Sequence, residues 1–126
     1  MKLSLSVLPG RLALCRLGPN EAIPDWVFSA SFWSITRTHE ELSLFLPEES
    51  VPSSWIAKKG WCCLKVLGPL DLSLAGVLAS LTTPLAQAGV STLAISTYDT
   101  DYLLVPEADY DRAKETLIEH GHHLNP

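Results

Sequence analysis

The stretch Gly89-Val-Ser-Thr-Leu-Ala-Ile-Ser-Thr-Tyr-Asp-Thr-Asp-Tyr-Leu-Leu-Val105 decides the fold. It reads as two strands, Thr92 to Ser96 with Leu93 and Ile95 inward, and Asp101 to Val105. A polar corner, Thr97-Tyr-Asp-Thr100, joins them. Asp and Thr form such corners because their side chains bond nearby backbone amides. Upstream, Leu74, Val77, Leu78, Leu81, Leu85 and Ala88 fall at helical spacing and make one apolar face. Asp71 or Ser73 is suited to cap that helix. Gly89 suits the left-handed position that ends it. Pro84 interrupts the face: with no N–H it leaves the Ser80 carbonyl unbonded and is expected to bend or split the helix.

Further upstream, Trp61 to Leu67 reads as a strand stopped by Gly68-Pro69. Downstream, Pro106-Glu-Ala-Asp109 opens a second helix with Tyr110, Ala113 and Leu117 on its inner stripe. Gly121 ends it, and His122-His-Leu124 supplies a last short strand. From Gly60 onward the order is therefore β-α-β-β-α-β, the split βαβ or ferredoxin-like plan, and the fold class is α+β.

The first half, residues 1–59, is strand-rich. Leu3, Leu5 and Val7 alternate with serines. Pro9-Gly10 is a turn, and Leu12 to Leu17 is a second strand, so the two are expected to form a hairpin. Ser31 to Thr36 and Leu42 to Leu46 are two more strands. Pro47 to Ser54 reads as a linker, and Trp55 to Lys59 as a helical turn. The expected division is a strand-rich unit over 1–59 and a ferredoxin-like unit over 60–126.

Composition narrows the function. The chain has 126 residues, 47% of them apolar, which fits a globular protein rather than a disordered one. Its net charge of −5 argues against a nucleic-acid partner, which needs a basic patch. No apolar run is long enough to span a membrane. Three cysteines, with Cys62 and Cys63 adjacent, make no disulfide framework and point to the cytoplasm. Neighbouring cysteines on a strand face opposite ways, so they are poor joint ligands for one metal. His120, His122 and His123 beside Glu119 have the residue types of a metal site, but histidines at a helix end are more often solvated. No catalytic or nucleotide-binding motif occurs, so neither an enzyme nor a cofactor is expected.

Several segments carry a family resemblance. They are Leu67-Gly-Pro-Leu-Asp-Leu-Ser73, the Ala-Gly-Val-Leu-Ala-Ser-Leu-Thr-Thr-Pro-Leu-Ala86 that follows, Gly89-Val-Ser91, and Ile95-Ser-Thr-Tyr-Asp-Thr-Asp101 with its Leu-Leu-Val. Together they resemble an ACT domain. More narrowly they are similar to the branch found in small bacterial ACT proteins and in the cytosolic arginine sensors of TOR-kinase signalling. Phe32-Trp-Ser-Ile-Thr-Arg-Thr-His-Glu-Glu-Leu-Ser-Leu44 resembles the strand pair of a degenerate first ACT-like unit. The resemblance implies a non-catalytic regulatory or sensor module. Its ligand would be a small molecule, most often an amino acid, held at a domain or dimer interface. The implied contacts are Gly68, Asp71, Leu72 and Ser73 in the loop, Ser91 and Thr92 opening the next strand, and Asp101. The arginine sensors carry tandem units, so a comparable site here calls for a second copy, a homodimer. A structural or protein-interaction ACT module without ligand is the alternative.

The residues themselves leave two readings of the acids open. A helix start with unpaired N–H groups suits a carboxylate, and Asp71, Asp99 and Asp101 suit an ammonium or guanidinium. The plainer reading is that Asp71 caps the helix while Asp99 and Asp101 stabilise a turn.

Overall fold

The structure is a computed structural model that describes residues 1–71 and 73–125. It is α+β and falls into two compact units. One comprises Met1–Pro9 with Cys62–Pro126, and the other Gly10–Trp61. The first nine residues thus join the later unit, which differs from the expected division at residues 59 and 60.

The reason lies in strand pairing. Strand β1 (Ser4–Val7) does not form a hairpin with β2 (Leu12–Leu17). It pairs antiparallel with β5 (Ile56–Val66), Leu5 opposite Val66, and parallel with β8 (His123–Asn125), Leu5 opposite Leu124. Flanked on both edges, β1 has a partner for each side of its backbone, where an edge strand of a hairpin would expose one row of polar groups. The remaining strands of this unit are β6 (Leu93–Ser96) and β7 (Asp101–Pro106). The sheet order is β6-β7-β5-β1-β8.

Helices α1 (Val77–Gln87) and α2 (Tyr110–Glu119) cover one face of this sheet. Leu81 and Leu85 from α1 and Ala113 and Leu117 from α2 meet Leu5, Leu64, Val66, Leu103 and Val105 in one buried cluster. Each fully buried leucine there contributes about 1.5–3 kcal/mol. In the β6–β7 ladder Ala94 pairs with Leu103 and Ile95 with Tyr102. Cross-strand partners share a face. Leu93 and Ile95 therefore lie on the face of Tyr102 and Leu104, opposite the Leu103 cluster, and they are half-buried there while Ala94 and Ser96 are exposed, in keeping with the inward side expected from the alternation.

The other unit has the strand order β3-β4-β2-β5, with β3 at Ser34–Arg37 and β4 at Leu42–Pro47. Its core gathers Ala13, Cys15, Val27, Leu42, Leu44, Leu46 and Val51. Two expectations fail here. Residues 47–54 are not a linker: a single 3-10 turn, Glu48–Ser50, leads to Val51, which is buried. Residues 56–59 are not helical but form the start of β5, where Lys58 pairs with Leu14 and Ala57 with Cys15. Pairing with β2 overrides an ambiguous local sequence. Between Leu12/Trp61 and Leu14/Lys58 the strand β5 carries one extra residue, a bulge that Gly60 accommodates at φ +84°.

Helix α1 also begins later than expected. Gly76, at φ +82°, precedes its first residue, so neither Asp71 nor Ser73 caps it, and Leu74 is half exposed. Nor does Pro84 split the helix, which runs unbroken from Val77 to Gln87. The Ser80 carbonyl that Pro84 leaves without its helical partner lies 3.0 Å from His122 Nε2. The backbone N–H of Leu3 points to the other ring nitrogen, Nδ1, at 3.1 Å. A backbone N–H can only donate, so Nδ1 accepts and Nε2 carries the proton it gives to Ser80. His122 is buried to 4% exposure, not solvated as a helix-end histidine would be. It ties β1 to α1.

A second set of contacts fixes the end of the sheet. The Thr100 hydroxyl donates to the Val66 carbonyl at 2.5 Å, and the Leu70 N–H donates to the Asp99 carbonyl at 2.7 Å. The corner closes on itself through Thr97 N–H to the Thr100 carbonyl at 2.8 Å. Gly68 sits where these segments meet. A Cβ there would come within 2.9 Å of the Leu70 nitrogen and 3.0 Å of the Asp99 oxygen, both backbone atoms. Glycine is required for space, not for a left-handed backbone.

Removing these contacts has a measurable cost. His122→Ala leaves the Leu3 N–H and the Ser80 carbonyl without partners, and urea denaturation should show a loss of roughly 2–5 kcal/mol. In a Pro84→Ala background the restored amide serves Ser80, and the same substitution should cost about 1 kcal/mol less; strict additivity would refute the linkage. Gly68→Ala should cost about 1–3 kcal/mol through the backbone clash. Thr100→Val, which keeps the shape but orphans the Val66 carbonyl, should cost about 1–3 kcal/mol in the same measurement.

Candidate functional site

The loop between β5 and α1 and the corner between β6 and β7 enclose a hollow of about 300 Å³ at the start of α1. Leu70, Leu74 and Val77 form its apolar wall, and Asp71, Ser96, Thr97, Thr100 and Asp101 supply its polar groups. The stitches through Thr100 and Leu70 hold the two segments together and so fix the mouth of the hollow.

Each of its two carboxylates is oriented by a hydroxyl. Asp71 Oδ1 accepts from the Ser73 N–H at 2.9 Å and from the Ser73 hydroxyl at 2.8 Å. These two bonds hold the Asp71 carboxyl below its usual range, so it is ionised at neutral pH. Asp101 Oδ1 accepts from the Ser96 hydroxyl at 2.6 Å. Among the described residues neither Asp71 nor Asp101 has an ion-pair partner. Among the described residues no basic side chain lines the hollow. Gly76, Val77 and Leu78 bring the opening turn of α1 to it, and the first N–H groups of a helix have no acceptor within the helix. The arrangement can therefore receive positive charge on its acid side and a carboxylate on its amide side.

The residues singled out from sequence divide between two places. Asp71 and Asp101 line the hollow. Ser73 orients Asp71, and Gly68 lines an adjoining depression of about 320 Å³. Leu72 lies outside the described residues. Ser91 and Thr92 lie elsewhere, just before β6, whose far end carries Ser96. At ~3.3 Å per residue the five steps from Ser91 to Ser96 cover roughly 17 Å, and neither Ser91 nor Thr92 lines either hollow. A single chain does not bring the whole set together.

Thr97, Thr100 and Leu70 were not singled out. Thr100 had no local signal, because its role depends on Val66, 34 residues away in sequence. The histidines do not gather as a metal site: His122 is the buried clamp, and His120 Nδ1 lies 2.9 Å from the Thr116 carbonyl. Among the described residues no three His, Cys, Asp or Glu side chains come together to hold a metal. Burial pushes the Cys63 thiol up to about 12, with neighbouring Cys62 adding to it, and burial also raises Cys15. Neither is a thiolate at neutral pH, so neither is a ready nucleophile. Among the described residues no helix is long and apolar enough to cross a membrane.

Comparison with known proteins gives the same picture of the fold. A family model described as an ACT domain matches residues 56–119. A second model, for an N-terminal domain, matches residues 10–54. The cytosolic arginine sensor for mTORC1 subunit 1 of Bos taurus is 37% identical over 97 residues, which is 68% of this chain and 30% of that protein. Its Homo sapiens counterpart is 35% identical over 99 residues, 70% of this chain and again 30% of the relative. The chain thus spans under a third of the length of these curated relatives. A crystal structure of a protein from Agrobacterium tumefaciens superposes with a TM-score of 0.93 at 34% identity, covering 99% of this chain and 93% of the other. The regulatory subunit of aspartate kinase from Thermus thermophilus has a TM-score of 0.62 at 11% identity, over 92% and 95% of the two chains, a likeness of fold alone. The sheet with α1 and α2 on one face, the loop after β5 and the matched sequence place this chain in the ACT domain family.

Proposed function

We propose that this chain is a non-catalytic regulatory module that binds an amino acid in the hollow at the start of α1. The observation that carries this reading is the pair of acids, Asp71 and Asp101, in a hollow that no cation lines among the described residues. An amino acid matches both ends: its carboxylate takes the free amides of the first helical turn, and its positive groups take the acids. Two acids for one α-ammonium favour a ligand with a second positive charge, a basic amino acid such as arginine. The naming of the curated relatives as arginine sensors agrees with that choice.

The contacts in this proposal are Gly68, Asp71, Leu72, Ser73 and Asp101 from one copy, with Ser91 and Thr92 from a second. The latter pair lies too far along β6 to reach the hollow of its own chain, and ACT-type sites lie at interfaces. The working form is therefore a homodimer, in the cytoplasm, with the unit Gly10–Trp61 holding the role of a degenerate ACT-like unit.

Isothermal titration with the twenty amino acids tests the reading. Binding by one of them, weakened about tenfold by Asp71→Asn and by Asp101→Asn, is the expected result, about 1.4 kcal/mol per lost contact. At a hundred times its dissociation constant that ligand should add about 2.7 kcal/mol to stability in a melting experiment. Absence of heat and of any melting shift with all twenty would favour an ACT module that only pairs with other proteins.

A further inference from the structure

The corner Thr97–Thr100 has a second hollow beside it, about 320 Å³ in volume, of which the reading above uses Gly68 alone. Lys65, Gly68, Thr97, Asp99, Thr100 and Tyr102 line it. It opens on the opposite face of the sheet. On β5 the neighbours of Lys65, Leu64 and Val66, belong to the buried cluster under the helices, so Lys65 projects the other way. On β7 Leu103 lies in that cluster, so Tyr102 likewise faces away from it. Thr97 and Thr100 line both hollows and form the wall between them.

The charges of the two hollows differ. Among the described residues the hollow at α1 has two acids and no base, whereas this one has one base, Lys65, and one acid, Asp99. Those two do not pair with each other, and among the described residues neither has an ion-pair partner. The Lys65 ammonium lies 6.0 Å from the centre of the Tyr102 ring, which places it at the wall of the hollow. A cation and an anion that share one concave site yet remain apart are matched by a molecule that carries both opposite charges.

We propose that this second hollow binds a small zwitterion, its carboxylate on Lys65, its ammonium on Asp99 and its carbon chain against the Tyr102 ring. The site is distinct from the one at α1, and its occupant needs no second positive group.

Amide chemical-shift mapping on the whole chain tests it. Glycine, β-alanine and γ-aminobutyrate, whose charges stand progressively further apart, serve as probes, with acetate and methylammonium as single-charge controls. At least one zwitterion should saturably shift the amides of Lys65, Asp99 and Tyr102, with neither control doing so at equal concentration. Lys65→Met and Asp99→Asn should each weaken that response about tenfold. Asp71→Asn should leave it unchanged, which separates this site from the one at α1 whether or not the latter binds a ligand. Both substitutions lie on partly or fully exposed side chains, and retained shift dispersion confirms that the variants fold. No response at Lys65 and Asp99 to any zwitterion overturns the proposal, as does an acetate response of equal strength, or zwitterion binding that survives Asp99→Asn.

Discussion

The site depends on one close approach: the backbone after β5 passes against the backbone of the β6–β7 corner with no room for a side chain between them. Gly68 makes the approach possible, and the Leu70 N–H and the Thr100 hydroxyl then bond the carbonyls of Asp99 and Val66. Val66 is buried, and its carbonyl left without a partner would cost about 1–3 kcal/mol. The same contacts bring Asp71 and Asp101, thirty residues apart in sequence, to one hollow. The two carboxylates are thereby held in place, and contacts held in advance lose less freedom on binding.

The β1 strand and the proline of α1 are linked in a similar way. A helix carrying Pro84 has a spare carbonyl at Ser80, and a strand inserted between β5 and β8 has a spare N–H at Leu3. His122 meets both, one with each ring nitrogen. Its neutral form alone can do so, because the protonated ring has no acceptor. The buried histidine thereby turns two local defects into a tie between the first residues and the helix that borders the site.

Much of this was legible in the sequence, and the failures share a cause. The helices, β7 and the left-handed Gly89 follow from apolar spacing and from turn chemistry, both local properties. The hairpin of β1 with β2 was wrong because alternation in Ser4–Val7 says that a strand exists, not which strands flank it. The start of β5 was misread because residues 56–59 owe their extended form to β2 and to a glycine bulge. The alternation in β6 marks Leu93 and Ile95 as the more buried pair, but which face of the sheet they share follows only from the register with β7. At the site, the acids and Gly68 could be found from composition and motif. Thr100 could not, nor could the distance of Ser91 and Thr92 from the hollow, because both depend on how strands lie in three dimensions.

The account rests on the hollow between Asp71, Asp101 and the first turn of α1 being a place for a basic amino acid. A crystal structure of the chain grown with arginine examines this most directly. The account predicts density with a positive group against the two carboxylates and a carboxylate against the Val77 and Leu78 amides, with Ser91 of a second copy closing the site. Density elsewhere on the protein, with this hollow filled by the side chains of Leu70 and Leu74, would contradict it.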